Sequence, residues 1–272
     1  MAHMPSDLVL LRGGGDLASG VALRLHHAGF AVIISELAQP LAVRRLVCFS
    51  EAIYAGHIKV EDVTARRATS DEIDDILARR EIPVLVDEYA DILRNTHYAI
   101  VVDARLTKSP PQPLPRPVPL HIALGPGYTA GTDCHAVIET QRGHSLGRVY
   151  WTGSALPDSG QPEGDPRRVL RAPVDGILLT RSNIGDHLNE GDTIAEIQSS
   201  IENRKSKIVS PLKGVLRGIL RDGAPVSAGL KIGDIDPRDD PALCHLVSDK
   251  ALAVGGGVLE AILAKIHRDD SE

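Results

Sequence analysis

The sequence predicts an α/β protein with a Rossmann-like parallel-sheet domain, followed by an all-β unit of the barrel-sandwich hybrid type. Three observations predict this fold class: apolar runs alternate with helical patterns in the first hundred residues, a glycine-rich loop follows the first run, and residues 172–235 contain an internal repeat. Alternation of strand and helix is typical of parallel sheets with right-handed crossovers. Hydrophobic residues make up 43% of the 272-residue chain and aromatic residues only 3%, so aliphatic side chains must form the core.

The first domain, residues 1–108, is predicted from the order of its apolar segments. Leu8–Leu11 predicts a strand, Leu17–Ala28 a helix and Ala31–Ser35 a second strand. The later segments predict, in order, a strand at Val84–Val86, a short helix near Glu88–Arg94 and a strand at Ala99–Val102. Runs this apolar are typical of parallel strands buried on both faces.

Residues 109–165 are predicted to be a connector that carries a β-hairpin. Ser109–Pro117 contains five prolines, which exclude a helix or an interior strand. Beyond it, His135–Gln141 and Ser145–Trp151 flank a short polar turn and predict the two strands of a hairpin.

Residues 166–238 contain the internal repeat. Ala172–Leu178 matches Ser210–Leu216 at an offset of 38 residues, the difference between Pro211 and Pro173. Two short β-motifs of this kind are expected to bury their apolar faces on each other. The final segment, residues 239–272, predicts a helix whose apolar stripe docks on the α/β domain.

The repeat invites comparison with biotinyl and lipoyl carrier domains, which are also built from two similar halves. Their modified lysine lies in the hairpin that joins the halves, here Gln198–Val209. Lys205 and Lys207 lie there without the flanking residues of a modification site. We therefore expect a structural or docking unit without a carrier lysine.

The loop after the first predicted strand fits the G-x-G-x-x-A pattern of dinucleotide-binding domains. Gly13 permits the tight turn, Gly15 lets the backbone approach a pyrophosphate, and Ala18 allows close packing of helix on strand. Gly14 and Asp16 complete the loop, and the helix that follows supplies free N–H groups. Because the Asp16 carboxylate would repel a phosphate, the alternative is a Rossmann-like loop that holds no ligand.

Glu36 ends the second predicted strand, 23 residues after Gly13 (36 − 13). An acid about 20 residues beyond the glycine loop bonds a ribose hydroxyl in such domains and disfavours a 2′-phosphate. The pattern therefore favours NAD or another adenine nucleotide over NADP.

Several unusual strings follow one another along nearly the whole chain. They are Arg12–Gly20, Leu124–Tyr128, Asp133–Thr140, Arg142–His144, Gly229–Arg238, Ser248–Ala251 and Gly255–Ala261. Together they resemble the YqeB-type accessory proteins of selenium-dependent molybdenum hydroxylase systems. The resemblance implies a maturation factor that acts on the molybdenum cofactor or its selenium or sulfur ligand. It implies a molybdenum hydroxylase as partner and molybdopterin as handled ligand, but it assigns no residue roles.

Two further positions are candidates for chemistry. Cys134 and His135 follow a glycine-rich turn, and a thiol beside an imidazole predicts a thiolate of lowered pKa that carries sulfur or selenium or ligates a soft metal centre. The alternative is a buried packing cysteine. Arg105, in Asp103-Ala104-Arg105 with Lys108 close behind, follows a predicted strand and is a candidate phosphate clamp. The alternative for Asp103 and Arg105 is an ordinary ion pair.

Composition narrows the function classes. Three widely spaced cysteines argue against a disulfide framework, and the absence of a long apolar stretch argues against a membrane span, so a cytoplasmic protein is expected. A net charge of −6 without a basic face argues against nucleic acid as a partner. The histidines show no metal-ligand spacing, so no metal site is predicted. The sequence is compatible with a homo-oligomer but contains no feature that predicts one.

Three functions remain open from sequence. The first is the hydroxylase accessory factor, linked to a nucleotide. The second is an NAD-dependent oxidoreductase, which would need a hydride-transfer partner such as Tyr-x-x-x-Lys; none of the five tyrosines has Lys four residues later. The third is a non-catalytic scaffold or binding module that uses the β-repeat.

Overall fold

A computed structural model describes residues 8–96, 98–107, 112–158, 160, 164–199 and 205–269. The chain forms two compact units. The sheet unit comprises Met1–Pro40, Cys48–Ser159 and Val247–Glu272, and the repeat unit comprises Leu41–Val47 and Gly160–Leu246.

A nine-stranded sheet is the centre of the sheet unit. Its strands are β1 (Leu8–Arg12), β2 (Ala31–Glu36), β3 (His57–Val60), β4 (Val63–Arg67), β5 (Ile82–Val86), β6 (Ile100–Asp103), β7 (Leu120–Leu124), β8 (Ala136–Ile138) and β9 (Val149–Tyr150). Their order is β3-β4-β5-β2-β1-β6-β7-β8-β9. All pairs from β4 to β8 are parallel, and only the edge strands β3 and β9 pair antiparallel. The chain is thus a mixed α/β protein with a large, mostly parallel sheet.

The strand order reverses at β1. From β1 the chain adds β2, β3, β4 and β5 on one side and then β6, β7, β8 and β9 on the other. In open parallel sheets, ligands bind beyond the carboxyl ends of the strands at such a reversal. The loops that follow β1 and β6 therefore lie where a site is expected.

Four helices are described in the sheet unit: α1 (Asp16–His27), α2 (Ala52–Ala55), α3 (Ile73–Ala78) and α4 (Asp249–Asp269). The two long helices, α1 and α4, pack against each other at small residues. A Cβ added at Gly20 of α1 would lie 2.6 Å from Ala251 of α4. Because Gly20 has no side chain, the two helices can approach each other closely.

The sheet extends past the boundary expected at residue 108. β7 and β8 lie in the predicted connector, yet they pair parallel with β6 and with each other. Every residue of β7 and β8 is buried. The burial of these apolar strands therefore extends the sheet beyond the proline-rich stretch. Lys108 and residues 109–111 lie outside the described residues. β8 and β9 pair antiparallel in the stretch predicted as a hairpin.

The repeat unit consists of two four-stranded antiparallel sheets. Its strands are β10 (Val169–Arg171), β11 (Gly176–Thr180), β12 (His187–Leu188), β13 (Thr193–Ser199), β14 (Lys205–Val209), β15 (Gly214–Ile219), β16 (Pro225–Val226) and β17 (Lys231–Asp236). The sheet orders are β10-β17-β15-β12 and β14-β13-β11-β16. Exchanging the first four strands for the last four converts one order into the other, so the two sequence repeats interlock as equivalent halves.

The core of the repeat unit follows the 38-residue offset. Buried apolar residues occupy equivalent positions in the two repeats: Leu178 and Leu216, Ile194 and Ile232, and Ile197 and Ile235. An added Cβ at Gly176 would meet the carbonyl oxygen of Gln198, and the equivalent Cβ at Gly214 would meet that of Asp236. The repeat therefore preserves the close contacts of each hairpin as well as its apolar pattern.

Candidate functional site

The glycine loop connects β1 to α1 at the reversal point, and its first two glycines have internal structural roles. Gly13 has a φ of +93°, which favours glycine, and its N–H donates to the Ser35 carbonyl at 2.7 Å. Gly14 packs closely against the backbone of Ser50, because an added Cβ would lie 2.8 Å from the Ser50 nitrogen. Both are needed for the loop to fold.

Gly15 differs from its neighbours. Its φ of −71° is open to any residue, and an added Cβ would meet nothing within 4 Å. It precedes α1, whose first residue is Asp16, while Ala18 is buried in the first turn of the helix. Neither backbone conformation nor packing within the described residues explains a glycine at position 15, which is the position where the dinucleotide pattern brings backbone close to phosphate.

Glu36 reaches the glycine loop. Its Oε1 accepts a hydrogen bond from the Gly14 N–H at 2.8 Å, and its Oε2 accepts one from the Leu37 N–H. The carboxyl is buried, and this burial raises its pKa despite the two hydrogen bonds. The spacing from Gly13 predicted an acid at this place; the structure adds that the acid itself binds one loop amide.

Three exposed apolar side chains, which we name the apolar rim, lie at or just beyond the ends of β2 and β5. They are Leu37, Val86 and Tyr89, exposed by 44%, 45% and 54%. Val86 is the register partner of Glu36, so the rim lies beside the acid. Sequence reasoning missed these residues, although apolar side chains where two parallel strands end are a signal that was available.

Arg105 belongs to a buried charge cluster at the ends of β1 and β6. Asp103 is fully buried and accepts hydrogen bonds from Arg12 at 3.1 Å and from Arg105 at 2.7 Å; Arg105 also contacts the Tyr128 hydroxyl at 3.3 Å. Burial alone would raise the pKa of Asp103, but the two guanidinium groups lower it. The ion pair of Asp103 and Arg105, which was the alternative to a phosphate clamp, is present. Arg105 also lies close to the glycine loop, because an added Cβ at Gly13 would lie 3.6 Å from Arg105 Cγ; its role as a clamp stays a prediction.

The thiolate predicted at Cys134 is wrong. The thiol is buried, it donates to the Ala136 carbonyl at 3.3 Å, and burial raises its pKa to about 12. His135 does not activate it, because His135 Nδ1 instead accepts from the backbone N–H of His121 at 2.8 Å. An apolar setting favours the neutral thiol, and sequence adjacency to His135 did not reveal that setting.

Three further findings concern possible metal ligands, the cysteines and the helices of the described part of the chain. No group of three His, Cys, Asp or Glu side chains there is arranged to hold a metal ion. Cys48, Cys134 and Cys244 are free and buried. Within the described ranges, no helix is long and apolar enough to cross a bilayer.

The fold and the loop define a mixed α/β protein with a candidate phosphate-binding turn at the reversal point of its parallel sheet. The chain is 48% identical over 267 residues to the uncharacterized protein YqeB of Escherichia coli (strain K12), a match that covers 96% of this chain and 48% of YqeB. The similarity runs along nearly the whole of this chain. The chain spans about half the length of that relative. No protein-family model matches this chain.

Solved structures overlap with the chain only weakly. A succinylglutamate desuccinylase from Silicibacter sp. gives a TM-score of 0.27 at 13% identity, with 84% of each chain covered. An aspartoacylase family protein from Mesorhizobium loti gives 0.28 at 16% identity, with the same coverage of both chains. Scores this low establish neither a common fold nor a common activity.

Proposed function

We propose that this chain is a cytoplasmic accessory factor for a selenium-dependent molybdenum hydroxylase and that it binds an adenine nucleotide or a molybdopterin phosphate at the glycine loop. The role as a maturation factor rests on the resemblance of its motifs to YqeB-type accessory proteins. The ligand rests on one observation: Gly15 is a glycine that neither conformation nor packing requires, at the mouth of the loop.

The surroundings of Gly15 favour an anionic, ring-bearing ligand. The start of α1 supplies backbone N–H groups and the positive end of the helix dipole. Arg105 lies beside Gly13 and supplies a permanent cation. On the other side, the apolar rim offers a surface for a base, and Glu36 disfavours a second phosphate on the ribose.

The repeat unit fits a role in docking. We interpret it as a barrel-sandwich hybrid without a carrier lysine, because Lys205 lies on strand β14 and pairs with Glu196 at 3.4 Å. Part of the joining segment, residues 200–204, lies outside the described residues. A surface of this unit is our candidate for contact with the hydroxylase.

Gly15→Ala tests the ligand site. The added methyl group has room and an allowed φ, so we expect normal folding but affinity for the ligand lower by about tenfold or more, because the methyl group blocks close approach of a phosphate. The measurement is calorimetric titration of NAD, AMP and pterin phosphates. Gly256→Ala is the matched control, since its added Cβ also meets nothing within 4 Å and it lies on α4.

Equal affinity of both variants for every ligand that binds, or no heat from any of these ligands with the parent protein, would contradict the proposed site. Turnover of NADH with small substrates would instead favour the oxidoreductase. Capture of a hydroxylase without any bound nucleotide or pterin would favour the scaffold.

A further inference from the structure

The repeat unit contains one edge strand long enough to pair with a further strand. β14 (Lys205–Val209) lies at the end of the order β14-β13-β11-β16, so among the described strands it pairs with β13 on one side and with none on the other. The other edge strands of the unit, β10, β12 and β16, have only two or three residues. Along an edge strand, every second residue directs its backbone N–H and C=O groups away from the sheet. β14 therefore offers a row of such groups to another chain.

The sheet face beside β14 is open, whereas its counterpart in the other repeat is buried. Ile177 of β11 is 40% exposed, but Val215, which lies 38 residues later on β15, is fully buried. The side chain of Glu196 on β13 is 21% exposed, and that of its equivalent on β17, Asp234, is 3% exposed. Since the strand order and core of the two repeats match, the repeat predicts a contact at this face that the described residues do not supply.

The open face is positively charged. Glu196 pairs with Arg181 at 2.7 Å and with Lys205 at 3.4 Å, so one carboxylate is shared by two cations. Lys207 of β14 is the register partner of Glu196 and is exposed, yet it forms no ion pair within the described part of the chain. Three cations thus lie around one carboxylate, in a chain whose net charge is −6. This charge favours an acidic partner.

The spacing along β14 restricts the partner further. Lys205, Lys207 and Val209 are exposed and lie on one face of the strand, because side chains alternate, while Ile208 is buried on the other face. An antiparallel strand that fits beside them has the pattern apolar-x-acidic-x-acidic. A second copy of β14 does not fit, since pairing over the whole strand would place Lys207 opposite Lys207 of the other copy, and like charges directly opposite destabilise a sheet.

We propose that β14 and the face beside it form a docking site for an extended acidic segment of a partner protein. The segment adds a strand to the sheet, with two carboxylates opposite Lys205 and Lys207 and an apolar side chain opposite Val209. The inference rests on the docking role proposed for the repeat unit, to which it adds the surface and the chemistry of the partner. It does not depend on the ligand of the glycine loop.

The test is titration of the full chain with a blocked peptide, Thr-Val-Thr-Glu-Thr-Glu-Thr, followed by backbone amide NMR. We expect saturable shifts at Ser206, Lys207 and Ile208 that weaken as salt is added, because salt screens exposed charges. Lys207→Glu should lower the affinity by about tenfold, since attraction across the strands becomes repulsion. Lys207→Gln, which adds no charge beside Glu196, should lower it by about threefold.

Lys213→Glu is the matched control. Lys213 is exposed in the same unit and undergoes the same change of charge, but it pairs with Asp239 and does not lie on β14. Backbone pairing is tested on the peptide itself. N-methyl groups on the residues whose N–H groups face β14 keep both carboxylates but prevent pairing, so the methylated peptide should not bind.

The proposal is overturned if the parent peptide causes no saturable shifts in β14. It is also overturned if the methylated peptide, or one with Gln in place of Glu, binds equally well, or if Lys207→Glu binds as Lys213→Glu does. Equal or stronger shifts of β14 with an oligonucleotide or with anionic lipid vesicles would contradict it too, because the surface would then select negative charge alone.

Capture of a purified molybdenum hydroxylase separates this inference from the proposed function. Equal capture by the parent chain and by Lys207→Glu would leave the docking role in place and overturn the surface proposed here. Binding of the peptide at β14 without capture of the hydroxylase would support this surface and contradict the accessory role.

Discussion

At the residue scale, the buried carboxyl of Glu36 is the polar group that most directly affects the glycine loop. Its hydrogen bond to Gly14 fixes the loop against β2, and its burial disfavours the charged form. A phosphate bound at the loop would therefore lie near the buried carboxyl of Glu36. The protonation state of Glu36 links pH to the stability of the loop.

Glu36→Gln is expected to remove part of the pH dependence of stability. Because the pKa of Glu36 is raised in the folded chain, the folded state holds the proton more tightly than the unfolded state, and the free energy of unfolding falls as pH rises from the ordinary value through the raised one. The amide keeps an oxygen for Gly14 but cannot ionise, and loss of the Leu37 hydrogen bond adds only a pH-independent offset.

The measurement is urea unfolding of both proteins over a series of pH values, with exposed Glu260→Gln as the control. The difference in free energy of unfolding should shift in favour of Glu36→Gln as pH rises. A difference that stays constant over that range, or that matches the one for Glu260→Gln, contradicts the prediction.

The residue pattern predicted the strand, turn and helix around the glycine loop and the position of Glu36, but not the contacts that each residue makes. The spacing of Gly13, Gly15 and Glu36 was sufficient for this, because a strand, a tight turn and a helix impose it. Adjacency in sequence did not predict the partners of Cys134 and His135: the thiol of Cys134 donates to the nearby carbonyl of Ala136, while His135 accepts from the backbone of His121 on the neighbouring strand β7. Sequence neighbours on a loop need not face each other.

At the element scale, glycines set the distance between the two long helices of the sheet unit. Gly20 of α1 faces Ala251, while an added Cβ at Gly255 of α4 would lie 2.7 Å from the Gly20 carbonyl oxygen. Gly256, between two packed glycines, faces open space. Three consecutive glycines therefore carry two different roles, and the sequence alone did not separate them.

Gly20→Ala should lower the free energy of unfolding by up to about 2 kcal/mol, because an overpacking cost of up to about 3 kcal/mol, expected for a Cβ only 2.6 Å from Ala251, outweighs the gain of about 1 kcal/mol in helix propensity. Gly256→Ala should raise it by about 1 kcal/mol, since only the propensity changes. Urea unfolding followed by Trp151 fluorescence measures both, because Trp151 lies 4.7 Å from the Arg268 guanidinium of α4. Equal effects of the two changes would contradict this account of α1 and α4.

Element periodicity was the most predictive feature of the sequence. The 38-residue offset located two equivalent halves, and their strands indeed interlock one for one. The strands β3 and β4 were not predicted, because polar residues interrupt their apolar positions, whereas the equally short strands β1, β5 and β6 are continuous apolar runs. The helices α2 and α3, of four and six residues, carry too few positions to show a helical period.

At the scale of the whole molecule, the chain order does not match the units. Leu41–Val47 lies between strands of the sheet unit in sequence, yet it belongs to the repeat unit. Within that unit Arg45 donates to the Ile219 carbonyl at 2.9 Å and Arg44 to the Leu246 carbonyl at 2.8 Å. No local pattern marks such a segment, because its place depends on contacts with residues about 170–200 positions away, which composition and periodicity do not encode.

Val43 tests whether this segment is part of the core of the repeat unit. Its side chain packs against the apolar cluster, and an added Cβ at Gly218 would lie 2.9 Å from its Cγ1. Val43→Ala should therefore lower the stability of the repeat unit by about 1–2 kcal/mol through loss of buried methyl groups. Native-state hydrogen exchange should show the loss in β15 and β17 and leave β1 and β6 protected. Leu41→Ala, in the same segment but 52% exposed, should change protection by less than about 0.5 kcal/mol. Equal loss of protection in both units after Val43→Ala would mean that the segment stabilises the chain as a whole rather than this unit.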